Sequence, residues 1–325
     1  MDSTPRIVSE ALARAADSPG YPLTTGAPET RAAISAWVSR RLGAPDGVDV
    51  LPTIGTKEFV AWLPTMLGLG PSDTVVIPEL AYPTYDVGAR LAGAQVLATD
   101  SLTAIGPARV SLLWLNSPSN PTGRVLPVEH LAKVVAWARE RDVLVISDEC
   151  YYELPWGEQP VSVLNPDVCG GDPTGVVALH SLSKRSNLAG YRFGFAAGDP
   201  AVVGALLEVR KHAGMMVPGP VQAAAVAALS DDAHVSAQRA VYGSRRELLI
   251  EALTGAGFRV DESAAGLYLW VTRDEPCWET VGWLAERGIL VAPGEFYGRA
   301  GALHVRVALT ATDERVAAAA ARLAA

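Results

Sequence analysis

The chain has 325 residues, room for about two domains at roughly 150 residues each. Hydrophobic residues make up 49% and charged ones 19%, which supplies a large core and excludes disorder by composition. Lys plus Arg number 27 against 35 Asp plus Glu, a net charge of −8 that argues against a broad basic surface for nucleic acid while leaving room for a local basic pocket.

The amino end, MDSTPRIVSEAL, has an acid at position 2 and no continuous apolar stretch, and no run elsewhere reaches the ~18 residues of a spanning helix. The chain therefore reads as soluble and cytoplasmic. Cys150, Cys169 and Cys277 lie far apart, without the close pairs that zinc sites use, and read as unpaired thiols of a reducing compartment. No metal is expected. In TIGTKEFVAWLPTMLGLG a turn at Gly55 and Thr56 opens a helix, and free N–H groups at a helix start can hold an anion; the same turn also suits a plain N-cap at Thr56.

Further on, DTVVIPEL, VSLLWLNSP, VLVISDE and GVVALHSLS read as strands, set apart by the helical patterns VGARLAGAQVLA and VEHLAKVVAWARERD. That alternation predicts an α/β fold with a mainly parallel sheet covered by helices on both faces. Pro78-Glu79, Asn116-Ser117-Pro118 and Asp148-Glu149 would then emerge at the carboxyl edge, where open α/β sheets bind ligands. From about residue 235 a long helix is followed by FRVDES, GLYLWVT, CWETVGWLAERG, ILVAPG, ALHVRVALT and the Ala-rich terminal helix TDERVAAAAARLAA. The expected division is a large domain at 20–240 and a smaller α+β unit made of 1–19 and 241–325.

Lys184 sits just past an apolar strand in HSLSKRSNLAGYRFGF, with Ser181 three residues before it and Arg192 eight after. A hydroxyl and a guanidinium fork could converge there on one phosphate beside an amine. Asp148 ends the apolar run VLVI, where a carboxylate is costly to bury without a cation, such as a protonated ring nitrogen.

These residues, with the motifs IGTKE, ELAYPTY, NSPSNPTG, SDECYYEL, SLSKRSNLAGYRFGF and HVRVALT in order along nearly the whole chain, resemble the fold-type I enzymes of pyridoxal phosphate (PLP), specifically the class I and II aminotransferases. The resemblance implies a mainly parallel seven-stranded sheet sandwiched by helices, plus the smaller domain. It implies that Lys184 forms the Schiff base with PLP and moves the proton between substrate Cα and the cofactor. Asp148 would pair with the pyridine N–H, tuning the cofactor's electronics. Asn120 and Tyr151 would donate to its phenolic oxygen, and Tyr82 would stack on its ring. The phosphate would fall to Ser181, Arg192 and the amides of Gly55, Thr56 and Lys57, joined by Tyr21 of YPLTTG reaching across to the other subunit of a homodimer with shared sites. Arg306 would clamp the substrate α-carboxylate, and PGEFYG would close over it.

Overall likeness in PGYPLTTGAPETRAAISAW, GTKEFVAWLPTMLGLG, AYPTYDVGARLAGA and AGMMVPGPVQAAA extends to the N-succinyldiaminopimelate aminotransferases of lysine and diaminopimelate biosynthesis. They exchange an amino group between glutamate and N-succinyl-2-amino-6-oxopimelate, so a distal cation is needed; Lys57, Arg185, Arg245 and Arg246 are the candidates. Alternatives are a general aspartate or aromatic aminotransferase and a carbon–sulfur lyase. A non-enzymatic effector domain is disfavoured because no winged-helix segment is present and both Lys184 and Arg306 are. Family members have a few dozen residues upstream, including an arm over the site, and MDSTP resembles their interior VDPTP; the expectation is a start misassigned within a longer gene.

Overall fold

The computed structural model describes residues 2–157 and 159–324. Seven strands form the main sheet: β1 (Asp49–Thr53), β2 (Thr74–Ile77), β3 (Gln95–Ala98), β4 (Val110–Asn116), β5 (Leu144–Asp148), β6 (Val176–Ser181) and β7 (Gly194–Gly198). Their order is β1-β7-β6-β5-β4-β2-β3; β7 runs antiparallel to both neighbours and every other pairing is parallel. The helices through this part are α1 (Arg6–Arg14), α2 (Pro28–Trp37), α3 (Gly55–Met66), α4 (Thr84–Leu91), α5 (Val128–Arg139), α6 (Pro166–Cys169), α7 (Leu182–Arg185), α8 (Pro200–His212), α9 (Gly219–Leu229) and α10 (Ala233–Gly255).

The continuous apolar runs follow from burial on both faces. Along β4, Leu113 and Leu115 pack with Leu131 and Val134 of α5 and Ala224 of α9. Leu112 and Trp114 point the other way, toward Phe59 and Leu63 of α3, Tyr85 of α4 and Leu206 of α8. Each fully buried leucine of this kind contributes about 1.5–3 kcal/mol relative to exposure. Because β2, β4, β5 and β6 run parallel, their carboxyl ends reach one edge, and Asn116 stands opposite Asp148 in register.

A second sheet, β10-β11-β9-β8, is built from β8 (Arg259–Asp261), β9 (Tyr268–Thr272), β10 (Ala292–Pro293) and β11 (His304–Ala308), all antiparallel. Leu249 and Leu253 of α10 cover it with Leu284 of α11 (Cys277–Glu286) and Val316 of α12 (Asp313–Leu323). Backbone bonds join this unit to the edge of the large sheet: Ser263 N–H to Thr122 O at 2.8 Å, Ala265 N–H to Gly123 O at 2.9 Å, and Ala81 N–H to Tyr297 O at 2.8 Å.

Two expectations need correction. VGARLAGAQVLA is not one helix: α4 ends at Leu91, Gly93 takes φ +76°, and the β-prone remainder becomes edge strand β3. Of residues 1–19, expected with the smaller unit, Met1 lies outside the described residues and 2–19 divide between the two. In α1, Val8 is buried in the large sheet's cluster beside Trp37 and Ala224, because the Ala-rich face of α9 admits a close helix. Asp2 instead bonds Arg245 of α10 at 2.6 Å. All three cysteines are free, and no helix among the described residues is long and apolar enough to cross a membrane.

Candidate active site

The residues singled out above converge at the carboxyl edge of the sheet. Lys184, Asp148, Thr56, Lys57, Tyr82, Asn120, Tyr151, Ser181, Arg192 and Arg306 all line one cavity of about 430 Å³. Ser181 ends β6 and caps α7, its Oγ accepting from Ser183 N–H at 3.1 Å, so Lys184 is carried on the first turn beyond a buried strand. No carboxylate among the described residues forms an ion pair with Lys184.

Asp148, 7% exposed, ends β5. Its Oδ2 accepts from the Tyr85 hydroxyl at 2.8 Å and its Oδ1 from Cys150 N–H at 3.2 Å. Burial pushes its carboxyl above the usual range, against those two hydrogen bonds. Tyr85 is held in turn by stacking on Trp114, with centroids 4.7 Å apart and planes at 16°. The core of the sheet thus aims a hydroxyl at the site's one buried acid.

The NSPSNPTG loop is organised by Asn116. Its Nδ2 donates to Asp148 O and Pro118 O at 2.9 and 3.1 Å, and its Oδ1 accepts from Asn120 N–H at 2.7 Å. Asn120 Oδ1 then accepts from Arg306 Nη1 at 2.7 Å, which leaves the Asn120 amide nitrogen as a donor. Arg306 comes from β11 of the small sheet. Its guanidinium lies 3.7 Å over the Tyr268 ring and 4.9 Å from that of Tyr297, its Nε is buried without a partner, and no carboxylate pairs with it among the described residues. A cation held by aromatic faces and one amide oxygen, facing a cavity, has the chemistry to receive a carboxylate.

Gly55 and Arg192 form the floor opposite. Gly55 starts α3 with φ +69°, and a side chain there would run into the Arg192 guanidinium. Arg192 is fixed by Nη1 donating to Ala189 O at 2.8 Å. No side chain caps α3, so the first amides of this 12-residue helix remain open as anion donors. Gly55 is not in the cavity lining but shapes it. Tyr21 is apart from this cavity: it is 96% exposed, over a different groove between α1 and α9.

Of the four candidate distal cations, only Lys57 lines the cavity, its Nζ 5.9 Å from the Tyr82 ring centroid. The other three are corrected here. Arg185 is buried against Glu153, Asp232 and Ala228 O; Arg245 is shared by Asp2 and Asp313; Arg246 donates to Ser263 O beside the Trp156 ring. Arg185 and Arg245 hold structural elements together, since a buried guanidinium must be paired, and Arg246 is half-buried away from the cavity. Tyr85, Cys150, Tyr268 and Tyr297 are site residues that the sequence reading passed over. Tyr85 had a signal, standing three residues after Tyr82 in AYPTY, and Tyr297 had one in the PGEFYG loop expected to close over the substrate; Tyr268 sits in a strand run that reads equally well as core.

The family model for aminotransferase class I and II matches residues 3–323. A probable aminotransferase of Mycobacterium tuberculosis is 64% identical over 325 residues, covering 99% of this chain and 78% of that protein. The 4-dedimethylamino-4-oxo-anhydrotetracycline transaminase of Streptomyces rimosus is 60% identical over 324 residues, covering 99% of this chain and 90% of the relative. The solved structure of a probable N-succinyldiaminopimelate aminotransferase from Thermus thermophilus matches with a TM-score of 0.88 at 29% identity, covering 99% of this chain and 91% of that one. With the family model spanning nearly the whole chain over a fold of this type, the chain belongs to the class I and II aminotransferases, a family that works with PLP.

Proposed function

We propose that the chain moves an amino group between glutamate or 2-oxoglutarate and N-succinyl-LL-2,6-diaminopimelate. The observation that carries the amino-acid part is Arg306, a guanidinium without a carboxylate partner among the described residues that lines the same cavity as Lys184. The residues fit the cofactor. Asp148 is a buried acid held only by neutral donors, the environment in which a cationic ring nitrogen is welcome.

PLP, when bound, supplies a carbonyl for the substrate amine and a cationic ring that accepts electrons from Cα. Lys184 would anchor it and afterwards carry the proton at substrate Cα. Asp148 would keep the ring nitrogen protonated. The Asn120 amide nitrogen and the Tyr151 hydroxyl would donate to the phenolic oxygen, and Tyr82 would lie against the ring. Ser181, Arg192 and the amides of Gly55, Thr56 and Lys57 would take the phosphate, completed by Tyr21 from the partner in a homodimer. Arg306 would hold the α-carboxylate so that the Cα–H bond faces Lys184. The three free cysteines suit a reducing cytoplasm.

Arg306→Ala is expected to lower kcat/KM for every amino-acid donor, chiefly through KM, by the roughly 2–5 kcal/mol of a lost charge-assisted pair. Arg306→Lys should recover only part, keeping the charge without the fork. An effect on one donor alone would contradict the assignment.

Lys57 supports the diaminopimelate substrate proposed, as an exposed cation lining the cavity. Lys57→Met should raise KM for N-succinyl-LL-2,6-diaminopimelate about three- to fivefold, the scale of an exposed ion pair, and leave that for aspartate unchanged. A second reading has its own support: the 60% identity to the tetracycline-pathway transaminase and a rim that carries Tyr82 and Phe296, the latter 57% exposed, favour a flat polycyclic ketone. The test is glutamate formation from 2-oxoglutarate with each amino compound. Turnover of N-succinyl-LL-2,6-diaminopimelate well above aspartate and tyrosine supports the first reading. Conversion of the keto-anhydrotetracycline with glutamate alone supports the second, and pyruvate release from cystathionine would mean a lyase.

A further inference from the structure

Behind Tyr151 stands a second buried phenol. Tyr268, on β9, is 9% exposed; its hydroxyl is 3.1 Å from that of Tyr151, which donates to it here. The two rings meet edge to face, with centroids 5.7 Å apart and planes at 70°. The Tyr268 ring also carries the Arg306 guanidinium, 3.7 Å from its centroid. One side chain therefore touches both the carboxylate receptor and the hydroxyl assigned to the cofactor.

We infer that Tyr268 is a positioning residue whose hydroxyl turns to donate to Tyr151 when Tyr151 donates to the phenolic oxygen, forming a two-phenol relay. The inference rests on the role given to Tyr151 above. The exchange needs only rotation of two O–H bonds, since each hydroxyl can donate once and still accept. A donor behind Tyr151 strengthens its outward hydrogen bond, because bonds in a chain polarise one another, and this favours the anionic form of the oxygen it meets.

The two hydroxyls stand in different surroundings. The titratable groups facing the Tyr268 hydroxyl are Tyr151 and Cys150 from the strand end of β5, Lys184 from α7 and Arg306 from β11, with Tyr297 nearby. Burial pushes the Tyr151 phenol up. At Tyr268 burial acts the same way, yet the charges of Lys184 and Arg306 and the bond with Tyr151 outweigh it and hold that phenol below its ordinary value. Once the Tyr151 hydroxyl turns outward, its oxygen, 3.1 Å away, is the acceptor that the Tyr268 hydroxyl meets.

The test uses PLP-loaded protein and four chains: unmodified, Tyr268→Phe, Tyr151→Phe and the double variant. The readout is the pH midpoint at which the visible absorption band of the bound cofactor changes, with KM for the amino donor alongside. Phe fills the same space and keeps a ring under Arg306, so KM should stay within about twofold while the midpoint rises by roughly half a pH unit, the scale of one neutral hydrogen bond acting at second hand. In the double variant the Tyr268 change should add nothing to Tyr151→Phe, because its effect passes through that hydroxyl. A midpoint unmoved by Tyr268→Phe, or a full additional shift in the double variant, would overturn the relay. An unmodified chain with no visible band at all would overturn the site reading and the relay with it, an outcome told apart because it needs no variant.

Discussion

Lys184→Ala should abolish transamination, with a loss of about 10⁴-fold or more, because the residue proposed as both anchor and proton carrier is removed. The other lysine lining the cavity is Lys57, whose Nζ lies 5.9 Å from the Tyr82 ring centroid. Binding of the cofactor should persist in noncovalent form, since Arg192, Ser181, Asp148 and the open amides of α3 do not depend on the lysine. Dialysis followed by absorption reads the retained cofactor, and glutamate formation reads the turnover. Full turnover in this variant would contradict the role of Lys184.

Asp148→Asn should slow turnover about 10³-fold, since an amide cannot hold the ring nitrogen cationic while charge builds at Cα. Its second expected effect is opposite in sign. Burial raises the carboxyl's folded-state pKa above the ordinary 3.8, so the folded protein holds that proton more tightly than the unfolded chain. For a raised acid the folded state loses stability as pH climbs from the unfolded value through the folded one, and the full cost stands at neutral pH. Without cofactor, Asp148→Asn should therefore melt at or above the unmodified chain at pH 7, and the difference should vanish below about pH 4. A cofactor-free variant that melts lower at pH 7 would mean that the carboxylate serves the fold. Functional residues that cost stability are the usual pattern in active sites.

How much was legible in the sequence depends on whether a residue's surroundings are local. Lys184, Ser181 and Arg192 lie on one short stretch, and Asp148 ends an apolar run that predicts its own burial, so their meeting could be anticipated. Strand alternation likewise made the parallel sheet visible, because burial on both faces leaves continuous apolar runs. VGARLAGAQVLA misled because its helix and strand are both apolar and only the conformation at Gly93 divides them. Arg185 and Arg245 misled for another reason: their acids, Glu153, Asp232, Asp2 and Asp313, are brought in by other elements, so a paired structural guanidinium looked the same as a free one. Tyr85 and Tyr268 were hidden by type, since a buried tyrosine in a strand or helix pattern reads as core until its hydroxyl is seen to reach Asp148 or Tyr151.

The most direct test of the central claim is the absorption spectrum of the purified chain supplied with PLP, recorded before and after glutamate. The expected result is a visible band that gives way to a near-ultraviolet one as the amino group is transferred, with one 2-oxoglutarate formed per site. No visible band, or a band that persists unchanged through glutamate and every other amino-acid donor, would contradict the assignment of this cavity to amino-group transfer.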